Sequence, residues 1–95
     1  MNINVLNRSK NELRIEIVGE GHSFCNALQS ALLKDSSIEF VGYNISHPLV
    51  PKPTIYLRTK GQRKPENALL DAVKTLGKEL NEIQKNIKKT FKLED

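Results

Sequence analysis

Several residue types that mark particular protein classes are scarce or missing in this sequence of 95 residues. It contains no tryptophan, two tyrosines and three phenylalanines, which excludes a large aromatic core. Its one cysteine, Cys25, excludes an internal disulfide and a cysteine-rich metal site. No charged-then-apolar leader and no long apolar run occurs, so we expect a cytoplasmic protein without a membrane segment.

Residues that usually carry catalysis are equally sparse. His22 and His47 lie far apart, and neither has a carboxylate or cysteine at the spacing of a catalytic triad or metal site. We interpret His22 as a residue at the start of a helix and His47 as a loop-packing residue. Cys25 lies near a predicted helix N-terminus, where a thiolate is stabilised, but a small buried thiol is the favoured interpretation. We expect no catalytic residue, no cofactor and no metal.

The remaining composition is typical of a small globular domain. Hydrophobic residues make up 38% and charged residues 27% of the chain, which argues against wholesale disorder. No repeat or linker divides the sequence, so we expect residues 1–95 to form a single domain. The net charge of +4 is compatible with either nucleic acid or an acidic protein as a partner, and it identifies neither.

Four segments have the pattern of β-strands. Residues 12–18 and 54–60 alternate apolar and polar side chains, which predicts strands with one buried face. Residues 3–6 are a short apolar run. Residues 38–45 change apolar phase midway, which predicts a bulge or bend. Three prolines within residues 47–53 predict an extended loop before the last strand.

Two segments have helical periodicity. The first, residues 21–34, has Ser23 as a candidate N-cap and an apolar stripe at the i, i+3, i+4 spacing. This stripe consists of Phe24, Ala27, Leu28, Ala31 and Leu32. Whether it faces the chain's own core or a partner stays open. The second, from Pro65 to Lys92, has an apolar stripe at alternating steps of four and three. Its members are Leu69, Val73, Leu76, Leu80, Ile83 and Ile87, and Phe91 follows one position late.

The element order β-β-α-β-β-α predicts an α+β fold: a four-stranded, mainly antiparallel sheet with two helices on one face and a long C-terminal helix. A single helix over residues 65–92 has a length of roughly 40 Å, whereas a domain of this size has a radius of gyration of about 13 Å. The second half of this helix is therefore expected to overhang the sheet and to need a partner helix for its apolar stripe. The alternative is that the tail folds back or frays.

A basic cluster supplies a second functional hypothesis. Arg58, Lys60, Arg63 and Lys64 surround the fourth strand and its following loop, so the alternative function is a small basic α+β nucleic-acid-binding module. No aromatic pair interleaves these residues in the sequence, as a base-stacking surface requires. A solvated edge or a protein contact is therefore favoured.

Several sequence blocks together resemble one protein family. They are Gly21-His22-Ser23-Phe24-Cys25-Asn26-Ala27-Leu28, Gly42-Tyr43, His47-Pro48-Leu49 with Lys52, and the strand through Arg58 and Thr59. In this order they resemble the small alpha-like subunit of archaeal DNA-directed RNA polymerase, subunit L. The first block is also similar to the dimerisation motif of the bacterial alpha subunit. Phe24 and Cys25 depart from the leucine and glycine of that motif, and Gln29 and Ser30 stand where arginines are common.

The resemblance implies a non-catalytic subunit of the transcription machinery. In that family the small subunit forms a heterodimer with the larger alpha-like subunit, named D, and the pair is the platform for the other polymerase subunits. The nucleotidyltransferase activity belongs to the complex. No direct, specific DNA contact and no membrane contact is expected of the small subunit.

The resemblance also implies roles for particular residues. The expected heterodimer interface comprises Phe24, Leu28, Leu32, Leu76, Leu80, Ile83, Ile87 and Phe91. The family motif comprises His22, Ser23, Asn26, Ala27, His47 and Pro48. Candidate contacts with a large polymerase subunit are Lys52, Arg58 and Arg63.

Overall fold

A computed structural model describes residues 2–19, 21–44, 52–77 and 81–93. Within these ranges the chain forms four strands and three helices. The strands are β1 (Asn2–Arg8), β2 (Glu12–Val18), β3 (Ile38–Asn44) and β4 (Thr54–Thr59). The helices are α1 (His22–Leu33), α2 (Pro65–Leu76) and α3 (Asn81–Phe91). The predicted α+β class is confirmed.

The strands form one antiparallel sheet in the order β1-β2-β4-β3. Leu13 of β2 pairs with Leu57 of β4, and both side chains are buried. Ile15 pairs with Ile55 in the next inward-facing row, and these are buried as well. The polar residues between them face the opposite side, which we call the outer face. On the two central strands the outer face carries Glu12, Arg14, Glu16, Thr54, Tyr56 and Arg58.

Register shifts interrupt both edge strands. The shift in β1 lies between Val5 and Asn7, and the shift in β3 lies between Ile38 and Phe40. The second of these is the bulge that the change of apolar phase predicts. A large, exposed apolar side chain lies at each shift, Leu6 in β1 and Phe40 in β3.

The three described helices lie side by side on the inner face of the sheet. α1 packs against β3 and α2, α2 packs against β2 and β4, and α3 packs against α2 and β1. Their buried apolar residues join those of the sheet in one core. Every strand therefore has a helix above its inner side.

The predicted single helix over residues 65–92 is wrong, because this stretch forms two helices. α2 ends at Leu76, and Gly77 follows with φ 140° and ψ 160°, a backbone conformation that glycine tolerates far better than residues with a Cβ. The helical pattern resumes at Asn81 as α3. The break lets α3 lie beside α2 rather than continue its axis.

The predicted overhang is wrong as well, because α3 buries its apolar stripe inside the chain. The exposed fractions of Ile83, Ile87 and Phe91 are 4%, 1% and 4%, and α3 lies against β1. Leu80 lies outside the described residues. Folding back is favoured because the inner side of β1 offers an apolar surface within reach, and each large buried side chain contributes roughly 1.5–3 kcal/mol.

A polar network closes the end of α1. Asp35 Oδ1 accepts hydrogen bonds from the backbone N–H of Ser37 at 2.9 Å and from its hydroxyl at 2.6 Å. Arg63 donates to Asp35 Oδ2 at 3.1 Å and to Asp71 Oδ2 at 2.7 Å. The start of the α2 region is thereby tied to the end of α1.

At the N-terminal end of α1, Gly21 is the N-cap residue and no side chain caps the helix, so the prediction of Ser23 as N-cap is wrong.

We predict that Ser37→Ala weakens the fold at neutral pH more than in acid. The Ser37 hydroxyl is the main cause of the lowered pKa of Asp35, followed by the Ser37 N–H and Arg63. Since folding lowers this pKa below its ordinary value of 3.8, the ionised carboxylate stabilises the fold above about pH 4, and this stabilisation is lost as the pH falls through the folded pKa.

Urea unfolding at neutral pH and at about pH 3 measures the effect as a difference in the free energy of unfolding. The matched control is Ser36→Ala, which alters the exposed neighbouring serine. Equal pH dependence in the two variants would contradict the assigned role of the Ser37 hydroxyl.

Candidate functional site

The predicted interface stripe on helix α1 has a buried part and a partly exposed part. Leu28 and Leu32 are fully buried under the helix together with Cys25, so they belong to the chain's own core. Phe24 and Ala31 are only partly buried. Ala27 is exposed on the same side of the helix. The buried part of the stripe therefore faces the chain's own core, and the partly exposed part is accessible from outside the chain.

The partly exposed part of the stripe borders a shallow groove next to α2, to which Ala31 contributes. The groove has a volume of about 180 Å³ and is lined by Ala31, Ala68, Ala72 and Thr75 together with the charged residues Lys34, Asp35 and Asp71. Small residues let two helices approach closely. Leu76, at the end of α2, is also partly buried against the core. We call Phe24, Ala27, Ala31 and Leu76 the open flank.

Ile83, Ile87 and Phe91 of the predicted interface are held inside the chain by contacts between β1, α2 and α3. The Arg8 guanidinium lies 5.1 Å from the centre of the Phe91 ring. Arg8 also pairs with the buried carboxylate of Glu66 at 3.4 Å. Ile83 and Ile87 of the same helix are buried. Sequence reasoning missed Arg8 and Glu66 as partners, since residues so distant in sequence give no local signal.

Two blocks of the family motif meet in the structure. The Tyr43 hydroxyl of β3 donates a hydrogen bond to Asn26 Oδ1 of α1 at 3.1 Å. Asn26 therefore fixes α1 against the edge strand. Ser23 is exposed near the start of α1. The side chain of His22 is not described, and His47 and Pro48 lie outside the described residues.

The candidate large-subunit contacts are not brought together. Arg58 lies on the outer face, where its Nε donates to Glu12 Oε1 at 3.2 Å and its Nη1 lies 3.7 Å from Glu39. Arg63 instead lies on the helical side with Asp35 and Asp71. Lys52 is exposed.

These ion pairs change the electrostatics of the basic cluster. The Tyr56 hydroxyl, followed by the Arg58 guanidinium, lowers the pKa of Glu12. The Glu12 carboxylate raises the pKa of Arg58, and Asp71 raises the pKa of Arg63. Two of the four cations proposed to contact nucleic acid are therefore already neutralised within the chain.

The sequence pattern missed one feature near the basic cluster. An aromatic pair does lie beside the basic residues, because β4 is inserted between β2 and β3 and brings Tyr56 next to Phe40. Their ring centres are 5.5 Å apart, and the guanidinium of Arg14 lies 5.3 Å from the Tyr56 ring. The pairing is between strands, so spacing along the sequence did not indicate it.

The described part of the chain contains no cluster of three His, Cys, Asp or Glu side chains that could hold a metal ion. None of its described helices is long and apolar enough to cross a membrane. The candidate site is a helical surface that combines apolar and small side chains with the charged residues Lys34, Asp35 and Asp71.

Residues 12–86, from the start of β2 into α3, match the RNA polymerase Rpb3/Rpb11 dimerisation domain. The chain belongs to this family. The family match covers both helical segments that carry the open flank, and it includes the Gly77 break.

The similar proteins described next are archaeal RNA polymerase subunits. DNA-directed RNA polymerase subunit Rpo11 of Methanocella arvoryzae is 36% identical over 85 residues, which are 90% of this chain and 91% of that one. The Rpo11 subunit of Methanothermobacter thermautotrophicus is 35% identical over 78 residues, 82% of this chain and 88% of that one. The crystal structure of DNA-directed RNA polymerase subunit L from Thermoplasma acidophilum has a TM-score of 0.71 and 28% identity, covering 96% of this chain and 89% of that chain. The resemblance to archaeal subunit L is thereby confirmed.

We predict that Ile87→Ala destabilises the single chain by about 2–5 kcal/mol, the usual cost of removing a large aliphatic side chain from a core. The matched control on the same helix is Thr90→Ala, because Thr90 is exposed; its expected effect is within about 0.5 kcal/mol. Urea unfolding followed by circular dichroism measures both. If the two variants were equally stable, α3 would not be packed on β1 in solution.

Proposed function

We propose that this chain is a non-catalytic assembly subunit of a DNA-directed RNA polymerase of archaeal type, acting in the cytoplasm as one pairing domain over residues 1–95. Its proposed partner is the larger alpha-like subunit, named D, and the heterodimer is the platform for the catalytic subunits, which carry the nucleotidyltransferase activity. The observation that carries the proposal is the dimerisation-domain match over residues 12–86, which spans most of the sheet and reaches all three described helices.

The open flank is the proposed first contact with the partner. Its side chains are apolar or small and only partly covered, which suits the close approach of a partner helix. Leu28 and Leu32 lie directly beneath it in the core. They would support the interface by fixing the position of α1.

The proposed interface also includes Ile83, Ile87 and Phe91, and this requires a rearrangement. All three are buried against the chain's own sheet, so they reach a partner only if α3 leaves β1. Losing such burial costs roughly 1.5–3 kcal/mol for each side chain. The partner must therefore supply an apolar stripe of its own that replaces the contacts with β1.

The nucleic-acid-binding alternative has weaker support. Arg58 and Arg63 are paired with carboxylates, and the salt-dependent release of counterions that drives phosphate binding requires unpaired cations. The helical surface with its apolar flank suits a protein partner better.

We predict that co-expression with the larger alpha-like subunit yields a 1:1 complex, detected by size-exclusion chromatography with light scattering. Phe24→Asp should weaken pairing by about tenfold or more, because it places an unpaired charge in an apolar contact. Phe24 is preferable to Ile83 for this test, because Ile83 is buried in the single chain and its substitution would also perturb folding.

The matched control for Phe24→Asp is Ser30→Asp, which adds the same charge on the exposed side of α1. Circular dichroism of each isolated variant checks that the fold is retained. A soluble, folded chain that ignores the larger alpha-like subunit would contradict the proposed function. Equal pairing of the two variants would place the interface away from the open flank.

A further inference from the structure

The outer face of the sheet, which no described helix covers, contains a groove that pairing through the helices leaves free. Its volume is about 490 Å³, within the range of about 300–1,000 Å³ that ligand-binding clefts occupy. The side chains that shape it come from all four strands. They include Leu6, Arg14, Phe40, Gly42, Asn44 and Tyr56.

Apolar and aromatic side chains form the walls of this outer-face groove. Leu6 and Phe40 are 52% and 54% exposed, although each is large and apolar. The Tyr56 ring lies 5.5 Å from that of Phe40. Gly42 also lines the groove, and a Cβ there would make only an ordinary van der Waals contact, 3.6 Å from the edge of the Phe40 ring. Two exposed large hydrophobic residues on an otherwise polar face favour contact with another molecule.

Arg14 adds an unpaired cation to the groove. Its guanidinium lies 5.3 Å from the Tyr56 ring, which restrains its position. Within residues 2–19, 21–44, 52–77 and 81–93 its side chain forms no hydrogen bond and no ion pair, whereas Arg58 on the same face is engaged by Glu12 and Glu39. The N–H groups of the Arg14 guanidinium are therefore available to a carboxylate, for which this planar group is well suited.

The charge around the groove argues against nucleic acid as its occupant. On the strands of this face, Arg58 is paired with Glu12 and Glu39, and Glu16 accepts a hydrogen bond from Asn4. The strand residues of this face therefore do not form the cluster of unpaired cations that phosphate binding requires. A ligand that carries one carboxylate next to an apolar side chain matches this site better, because the carboxylate can pair with Arg14 while the apolar side chain enters the groove.

We propose that the outer-face groove binds an extended segment of another polymerase subunit, in which an apolar side chain fills the groove between Leu6 and Phe40 and a neighbouring carboxylate pairs with Arg14. The assignment of this segment to another polymerase subunit rests on the proposed function. A cleft of about 490 Å³ accommodates a small number of side chains, so a short segment is the matching occupant.

The test reconstitutes the polymerase from this chain, the larger alpha-like subunit and the remaining subunits. Phe40→Ser and Arg14→Gln should leave the heterodimer intact but weaken recruitment of a further subunit by about tenfold each. The matched controls remove an exposed apolar and an exposed cationic side chain outside the groove: Leu33→Ser and Lys10→Gln. Pull-down of the labelled heterodimer measures both steps.

A photo-crosslinking residue at Asn44, on the rim of the groove, identifies the occupant. We expect a crosslinked peptide from another subunit in which Asp or Glu lies within two or three residues of a large apolar residue. A crosslinked peptide without an acidic residue would overturn the proposal.

The outcomes separate this inference from the proposed function. If the heterodimer forms and all four variants recruit the other subunits equally, the groove proposal is wrong and the proposed function stands. If the unmodified chain forms no heterodimer, both are wrong. If Phe40→Ser instead reduces binding of a fluorescent oligothymidylate while recruitment is unchanged, the groove is a nucleic-acid surface and the proposal is overturned.

Discussion

The arrangement of the helices depends on the backbone of Gly77. Its φ of 140° ends α2, and α3 then lies on β1 instead of extending beyond the sheet. As a result every strand is contacted by a helix of the same chain, although Val5 on the inner side of β1 stays 41% exposed. A partner that uses the stripe of Ile83 and Ile87 must compete with these internal contacts. The free energy of pairing is then a difference between two sets of apolar contacts, smaller than the buried area alone indicates.

The two faces of the sheet differ in how their charges are used. On the helical side, Arg63 joins two carboxylates and fixes the ends of α1 and α2. On the outer face, Arg58 is held between Glu12 and Glu39, while Arg14 forms no ion pair among the described residues and contributes to the lowered pKa of Glu12 only through its charge. The net charge of +4 therefore says little about binding, because several of its cations act within the fold.

Local sequence pattern was sufficient where neighbouring residues determine the structure. The alternation in β2 predicted the burial of Leu13 and Ile15, and the change of phase in β3 predicted its bulge. The stripe of the C-terminal segment identified Leu69, Val73, Ile83 and Ile87 as members of one apolar face, and all four are buried. The expectation that its second half needs a partner helix was wrong, because the period of the stripe is the same for one helix or two. An isolated glycine is tolerated within helices, so only the apolar surface of β1, brought near by folding, decides that the chain turns at Gly77.

The functional surfaces could be predicted only in part from the sequence, because they depend on which elements folding brings together. The family resemblance rested on blocks such as Gly42-Tyr43, and the structure gives one of them a physical role through the hydrogen bond between Tyr43 and Asn26. The aromatic pair of Phe40 and Tyr56 depends on the order of strands in the sheet, which places β4 beside β3. No spacing along the chain encodes that neighbourhood.

Because Cys25 is buried, the rate at which its thiol reacts with a reagent measures local opening of the structure. This is the only thiol in the sequence, and its side chain is fully covered between α1 and the sheet. A thiol reagent in solution can modify it only when α1 lifts away or the whole domain unfolds. The rate of modification therefore gives a kinetic measure of how often that helix detaches, and comparing the rate with and without a bound partner shows whether pairing clamps α1 or leaves its motion unchanged.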